Sequence, residues 1–265
     1  MPRLIELSRL MKPAANIDVP PEYETLRVVL GPQIEYGPPA TTGLEHMQSV
    51  FDCPAHDLPN GEGWGEDSIV MSSHCNTHVD APLHSGSQCE GRPARTITDI
   101  ELDELYRPGI VLDVRQHVAP REAISIEALA AAIDAAGRPI TAGDAVLIRS
   151  GQERYSVSDP EFFQYPGMTA AGTKYLTGMG ATILGTDAMA WDRPFPVMKQ
   201  AYKETGDASQ IWDGHFAIQE REAFIVQQLT NLDKLPAHGF MVGFFPLRLY
   251  KASAAPARVV AFLED

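Results

Sequence analysis

The sequence predicts an α/β fold, a single compact domain with a mixed central sheet, and three observations carry that expectation. Beyond residue 125, short apolar runs rich in Val and Ile alternate with segments of helical periodicity. Capping residues and glycine stops stand at the ends of the helical segments. The chain has 265 residues, 44% of them hydrophobic, enough to bury one sizeable core. No repeat or low-complexity linker divides it.

The elements follow in chain order. The first 65 residues are rich in turn signals, among them Pro20-Pro21, Pro38-Pro39 and Asn60-Gly-Glu-Gly63. They read as loops and short strands draped over the core, covering the site or reaching into a neighbouring subunit. From Ser125, residues Ile126, Leu129, Ala130 and Ile133 share one helical face, with Ser125 to cap the start and Gly137 the end. Residues 145–149 read as a buried strand after the Gly143-Asp144 turn. Residues 169–179 read as a helix closed by Gly180, and 181–185 as the next strand, ending in Thr186-Asp187. Apolar runs at 224–226, 240–245 and 258–263 supply further short strands.

Composition excludes several classes of function. A net charge of −14 argues against nucleic acid and anionic membrane surfaces as partners, since both need a basic patch. No window approaches the roughly 18 apolar residues of a membrane span. Glu6, Ser8 and Arg9 break the apolar start, so the chain reads as cytoplasmic. Cys53, Cys75 and Cys89 are an odd set without CxxC spacing, which indicates neither a disulfide framework nor a structural zinc knot. Cys75 is expected to be a small buried side chain. No glycine-rich phosphate loop stands at a strand-to-helix turn, so a nucleotide site is not expected.

The chemistry is concentrated in one segment, His74-Cys-Asn-Thr-His78-Val-Asp80-Ala-Pro-Leu-His84. Three imidazoles and a carboxylate are the ligand types that suit zinc, manganese or iron. A helix would bring His74 and His78 together, but Asp80 would point elsewhere and Pro82 would break the next turn. A straight strand has the right parity but would separate His74 from Asp80 by roughly 20 Å at about 3.3 Å per residue. The chain must therefore bend sharply between the two histidines. Asn76 stands where the bend is needed, and Asn tolerates positive φ better than most residues. Pro82 offers a second bend that can return His84 toward the same point.

This spacing resembles the H-x-G-T-H-x-D-x-P-x-H signature of the cyclase family of metal-dependent hydrolases, which includes bacterial kynurenine formamidases and isatin hydrolases. Further similarities lie in Tyr165-Pro-Gly-Met-Thr169, Gly185-Thr-Asp-Ala188, Leu229-Thr-Asn-Leu-Asp-Lys-Leu235, Phe245-Pro-Leu247 and Ala252-Ser-Ala-Ala-Pro-Ala-Arg258. The resemblance implies that His74, His78 and Asp80 bind metal. It makes His84 a proton carrier or the ligand of a second ion, and has His215 complete the site. It also implies a fold of the swivelling β/β/α type, and homodimers or homotetramers. Two departures stand out. Asn76 replaces the signature glycine, and Gln227 stands where the formamidases carry a glutamate that bridges two ions. A neutral amide bridges poorly, so one divalent ion per subunit is expected, Mn²⁺ ahead of Zn²⁺, with Gln227 lining the site.

The function expected is hydrolysis of a small cyclic amide or aryl formamide, isatin- or N-formylkynurenine-like, by metal-activated water. His84 would move the proton and His215 would meet the oxyanion or carbonyl. A lactone hydrolase or carbon–oxygen lyase on the same metal is the alternative enzyme reading. A structural metal-binding protein is the non-enzyme reading, and the presence of a base at His84 speaks against it. Phe51, Trp64 and Trp191 are candidates to line an aromatic substrate pocket. Asp187 is a candidate to steady the site from behind. His46, His56, His117 and His238 occur singly, and the run Glu220-Arg-Glu222 reads as a solvated helix face.

Overall fold

Strands that are apolar at successive positions are buried on both faces. In the computed structural model, which describes residues 2–264, Val111, Leu147, Ile183 and Val226 point into one apolar cluster. Their neighbours Ile110, Leu112, Val146, Ile148, Leu184 and Ile225 point into another. The first cluster fills a barrel. Tyr106–Asp113, Ala145–Arg149, Ile183–Thr186 and Phe224–Gln227 lie side by side and parallel. His238–Pro246 and then Ala254–Leu263 extend the sheet antiparallel from Tyr106–Asp113. The short strand His78–Asp80 pairs antiparallel with Phe224–Gln227 and with Ala254–Leu263, and so closes the ring. Arg3–Glu6 adds an antiparallel strand farther along the same edge of Ala254–Leu263. The mixed sheet and single compact α/β domain are those the sequence predicts; closure into a seven-stranded barrel is added by the structure.

The second cluster lies between the barrel wall and two helices. Ile126–Ala136 is capped by Ser125, whose Oγ accepts from the Ala128 N–H at 3.2 Å, and ends at Gly137 with φ of 79°. Ala170–Gly178 starts on Thr169, whose hydroxyl accepts from the Gly172 N–H. Leu129, Ile133 and Leu176 are the apolar faces of these helices.

Three elements are not expected from the sequence. Tyr106–Asp113 contains Pro108 and Gly109, residues that weaken a strand pattern. Gly109 is required there because the Phe240 ring lies across it, 2.2 Å from where a Cβ would stand. The helix Phe195–Thr205 begins on Phe-Pro, and Thr42–Phe51 lies inside the loop-rich beginning. That beginning also forms an antiparallel pair, Gln33–Gly37 with Glu66–Val70, most of it exposed. Residues 220–222 are not a solvated helix face. They follow a 3₁₀ turn, Ala217–Gln219, and Glu222 pairs with Arg95 at 2.6 Å. Among the described residues no helix is long and apolar enough to cross a membrane.

Candidate metal centre

The bend between the histidines is present. Asn76 adopts φ of 58°, and its side-chain oxygen accepts from the Thr77 N–H at 2.8 Å. Its own N–H donates to the Val29 carbonyl, and the Thr77 hydroxyl donates to the Gln228 carbonyl at 2.7 Å. These bonds hold the turn against the barrel rim. His78–Asp80 then runs as a strand, so His78 and Asp80 share one face while Val79 points into the barrel. Pro82 opens a single helical turn, Pro82–Ser85, that carries His84 back over the strand.

The imidazoles converge on one atom. His78 Nδ1 donates to the Asn76 carbonyl at 2.6 Å, which leaves Nε2 with a free lone pair in the neutral ring. That Nε2 is 3.3 Å from Asp80 Oδ1, and His74 Nε2 is 3.5 Å from the same oxygen. Asp80 is buried, and its other oxygen, Oδ2, accepts from the Gln227 amide at 2.6 Å. Oδ1 is buried with no hydrogen-bond donor. A bare carboxylate oxygen facing the His78 lone pair, with the His74 nitrogen beside it, is costly without a cation between them. The donor set therefore fits a divalent ion, with His74, His78 and Asp80 as the residues able to hold it.

His84 stands at the edge of this set. Its Nδ1 is 2.9 Å from His74 Nε2, and one ligand atom each from His74, Asp80 and His84 lies within 4.8 Å of the others. Burial pushes the His84 imidazole down to about 4 despite Asp80, helped by the neighbouring imidazoles, so the ring is a neutral base at ordinary pH. Asp80 is held well below its usual range. Burial opposes this, but the surrounding imidazoles outweigh it.

His215 approaches from the other side on the short helix Asp213–Phe216. Its Nε2 lies 3.6 Å from Asp80 Oδ2 and 3.3 Å from the Gln227 amide nitrogen. Its Nδ1 donates to Asp192, which also accepts from the Gly214 N–H at 2.7 Å and the His215 N–H at 3.2 Å. Burial disfavours the charged ring, but Asp192 and Asp80 prevail and raise His215 to about 9. Asp192 had no recognisable signal, since a lone acidic residue in a loop has no partner spacing.

A cavity of about 260 Å³ opens onto these residues, lined also by Leu26 and Val29 from the loop-rich beginning and by Trp212. The Trp212 ring lies 4.5 Å from His215 and 4.8 Å from His84, centroid to centroid. The aromatic candidates are corrected accordingly. Trp191 is 1% exposed in the helix-side core, its indole N–H bound to Thr173. Phe51 and Trp64 pack on each other away from this cavity and are 58% and 36% exposed. Asp187 does not touch the site. It accepts from the backbone N–H groups of Ser150, Gly151 and Glu153 and shapes that loop. Cys75 is fully buried, and burial pushes its thiol up to about 11, consistent with a packing role. His46 and His56 sit on the surface beside Glu66 and Asp57.

Known proteins share this arrangement of sequence and fold. A family described as putative cyclase matches residues 5–193. The chain is 25% identical over 208 residues to an isatin hydrolase of Roseibium aggregatum, covering 74% of this chain and 73% of that one. It is 28% identical over 195 residues to a kynurenine formamidase of Paracidovorax citrulli, covering 73% and 77%. The fold resembles an isatin hydrolase solved with the product analogue thioisatinate, with a TM-score of 0.73 at 20% identity over 99% of this chain and 93% of that one. A structure described as a potential metal-dependent hydrolase with cyclase activity aligns with a TM-score of 0.64 at 20% identity, over 99% and 98%. With residues 5–193 of 265 matched, the chain belongs to the putative cyclase family, and the curated relatives it resembles are hydrolases.

Proposed function

We propose that the protein hydrolyses the C–N bond of a small cyclic amide or aryl formamide, using one divalent ion held by His74, His78 and Asp80. The observation that carries this reading is the buried Asp80 Oδ1, without a donor and facing two imidazole Nε2 atoms, with the neutral His84 alongside. When bound, such an ion makes water more acidic and polarises a carbonyl oxygen. The His84 imidazole takes the proton of the attacking water as the oxygen bonds to the carbonyl carbon. It returns that proton to the nitrogen as the C–N bond breaks. His215, kept protonated by Asp192 and Asp80, donates from Nε2 to the oxyanion. Trp212 offers a flat wall against which an aryl ring packs while the carbonyl faces Asp80.

Gln227 supports a single ion. Its amide already bonds to Asp80 Oδ2, and it brings no negative charge to offset a second dication. Both Mn²⁺ and Zn²⁺ accept this set of nitrogen and oxygen ligands, and Mn²⁺ is the ion proposed first. The test is a hydrolysis screen of isatin, N-formylkynurenine and small lactones with protein loaded with either ion. Amide opening that disappears in His78→Ala and Asp80→Ala supports the reading. Preferential lactone opening moves the assignment to a C–O bond, and no turnover of any of the three contradicts it.

A further inference from the structure

The metal-side cavity does not end at the histidines. Leu26, Met189 and Phe195 line it and also line a second chamber of about 360 Å³. The 260 Å³ metal-side cavity alone falls below the roughly 300–1,000 Å³ usual for ligand sites, whereas the two neighbouring cavities taken together fall within that range. One wall of the second chamber is the stacked pair Tyr23 and Phe163, with centroids 4.0 Å apart and planes 7° from parallel. Pro194 and Pro196 add further rigid apolar surface. Glu22, exposed on the outside, is the one lining residue with a charge.

A polar feature points to a ligand. Tyr165 is 2% exposed, and its hydroxyl has no hydrogen-bond partner among the described residues, although the residue lines the chamber. The hydroxyl of Tyr23, by contrast, accepts from the Gln164 amide at 3.1 Å. The Tyr165 hydroxyl is not one of the buried polar atoms sealed from solvent, so it is open to bond to what occupies the chamber.

We infer that the substrate is an amide with an uncharged aryl or branched apolar extension that passes the neck at Leu26, Met189 and Phe195 and lies against Tyr23 and Phe163. The extension carries a hydrogen-bonding atom for the Tyr165 hydroxyl. This rests on the proposed metal-dependent amide hydrolysis and narrows it. A chamber with one rim carboxylate and no cation disfavours a tail bearing a carboxylate, so a free amino-acid tail is the poorer fit.

The probes are acetohydroxamate, benzohydroxamate, 4-phenylbenzohydroxamate and 4-(4-pyridyl)benzohydroxamate, which grip a divalent ion and differ in the tail. Their affinities are measured by titration calorimetry on the Mn²⁺-loaded protein. The expected result is a gain of about tenfold or more from the second ring, the scale of burying one aromatic ring. Thr25→Trp and Pro196→Trp place bulk at exposed positions lining the chamber, and in each the ratio between two-ring and one-ring probes falls toward one. In Tyr165→Phe the pyridyl probe loses its advantage over the phenyl one. Equal affinities across the series, or a two-ring gain that survives both tryptophan variants, overturns the inference alone. Failure of every hydroxamate to bind overturns the metal reading beneath it as well.

Discussion

The side-chain amide of Gln227 donates to Oδ2 of Asp80 at 2.6 Å, and Oδ1 of that carboxylate is left facing His74 and His78. One residue thereby fixes which oxygen is free for a cation. It also sets the charge of the site, because the position paired with His78 at the end of Phe224–Gln227 holds an amide and not an acid. Replacing it, Gln227→Glu, removes the donor and places a second carboxylate beside Asp80. The metal-free variant should be less stable than the parent by about 2 kcal/mol, the scale of a lost bond to a buried charge. Its metal content should rise from one ion per chain to two, measured by elemental analysis after dialysis. A ratio that stays at one contradicts the role given to the amide.

Asn76 tests the bend. At φ of 58° a non-glycine residue pays roughly 1–2 kcal/mol of backbone strain, which Asn offsets by its bond to the Thr77 N–H. Asn76→Gly should keep metal binding close to that of the parent, since glycine adopts the same φ freely. Asn76→Val should weaken it by at least tenfold, because the β-branched residue resists the turn that brings His74 to Asp80. Metal titration with a competing chelator distinguishes the two.

Asp192 acts through His215. Asp192→Asn keeps the size of the side chain but removes the charge that holds Nδ1–H and lifts the ring to about 9. Turnover should fall about 10–100-fold, the range seen when a supporting carboxylate is removed from a site histidine. Metal content should not change. The activity profile should lose its alkaline shoulder as well, which a loss of packing alone would not cause.

The metal-free protein should be most stable near neutral pH, from two opposed shifts. Burial lowers His84 to about 4 in the fold, against about 6.5 unfolded, so the unfolded chain binds more protons between those values and stability rises with pH there. His215 moves the other way, its burial outweighed by Asp192, to about 9. The folded chain binds more protons between about 6.5 and 9, and stability falls with pH across that window. Denaturant midpoints of chelated protein from pH 4 to 9 should trace a maximum near 6.5. A flat profile would show that neither imidazole is perturbed in the fold.

Much of the site was legible because its chemistry is local in sequence. The spacing from His74 to His84, with Asn76 and Pro82 at the bends, contains the geometry the structure displays. Strands at Ala145–Arg149 and Ile183–Thr186 were legible from their apolar runs, and the helix at Ile126–Ala136 because Ser125 and Gly137 punctuate it. Barrel closure was not, since it depends on a strand of three residues, His78–Asp80, too short for any periodicity. Tyr106–Asp113 was hidden by Pro108 and Gly109. The aromatic wall was misassigned because composition cannot say which tryptophan faces a cavity. Trp191 went into the core, and Trp212, the residue just before the helix carrying His215, took the place beside the histidines.

The central claim is that an ion held by His74, His78 and Asp80 is what makes the site hydrolytic. Protein stripped with a chelator and then titrated with Mn²⁺ should recover amide hydrolysis in proportion to the ion bound, reaching a plateau at one ion per chain. Asp80→Ala, carried through the same titration, should bind no ion at that affinity and recover nothing. Full turnover by the stripped protein, or by Asp80→Ala without bound metal, would contradict the account.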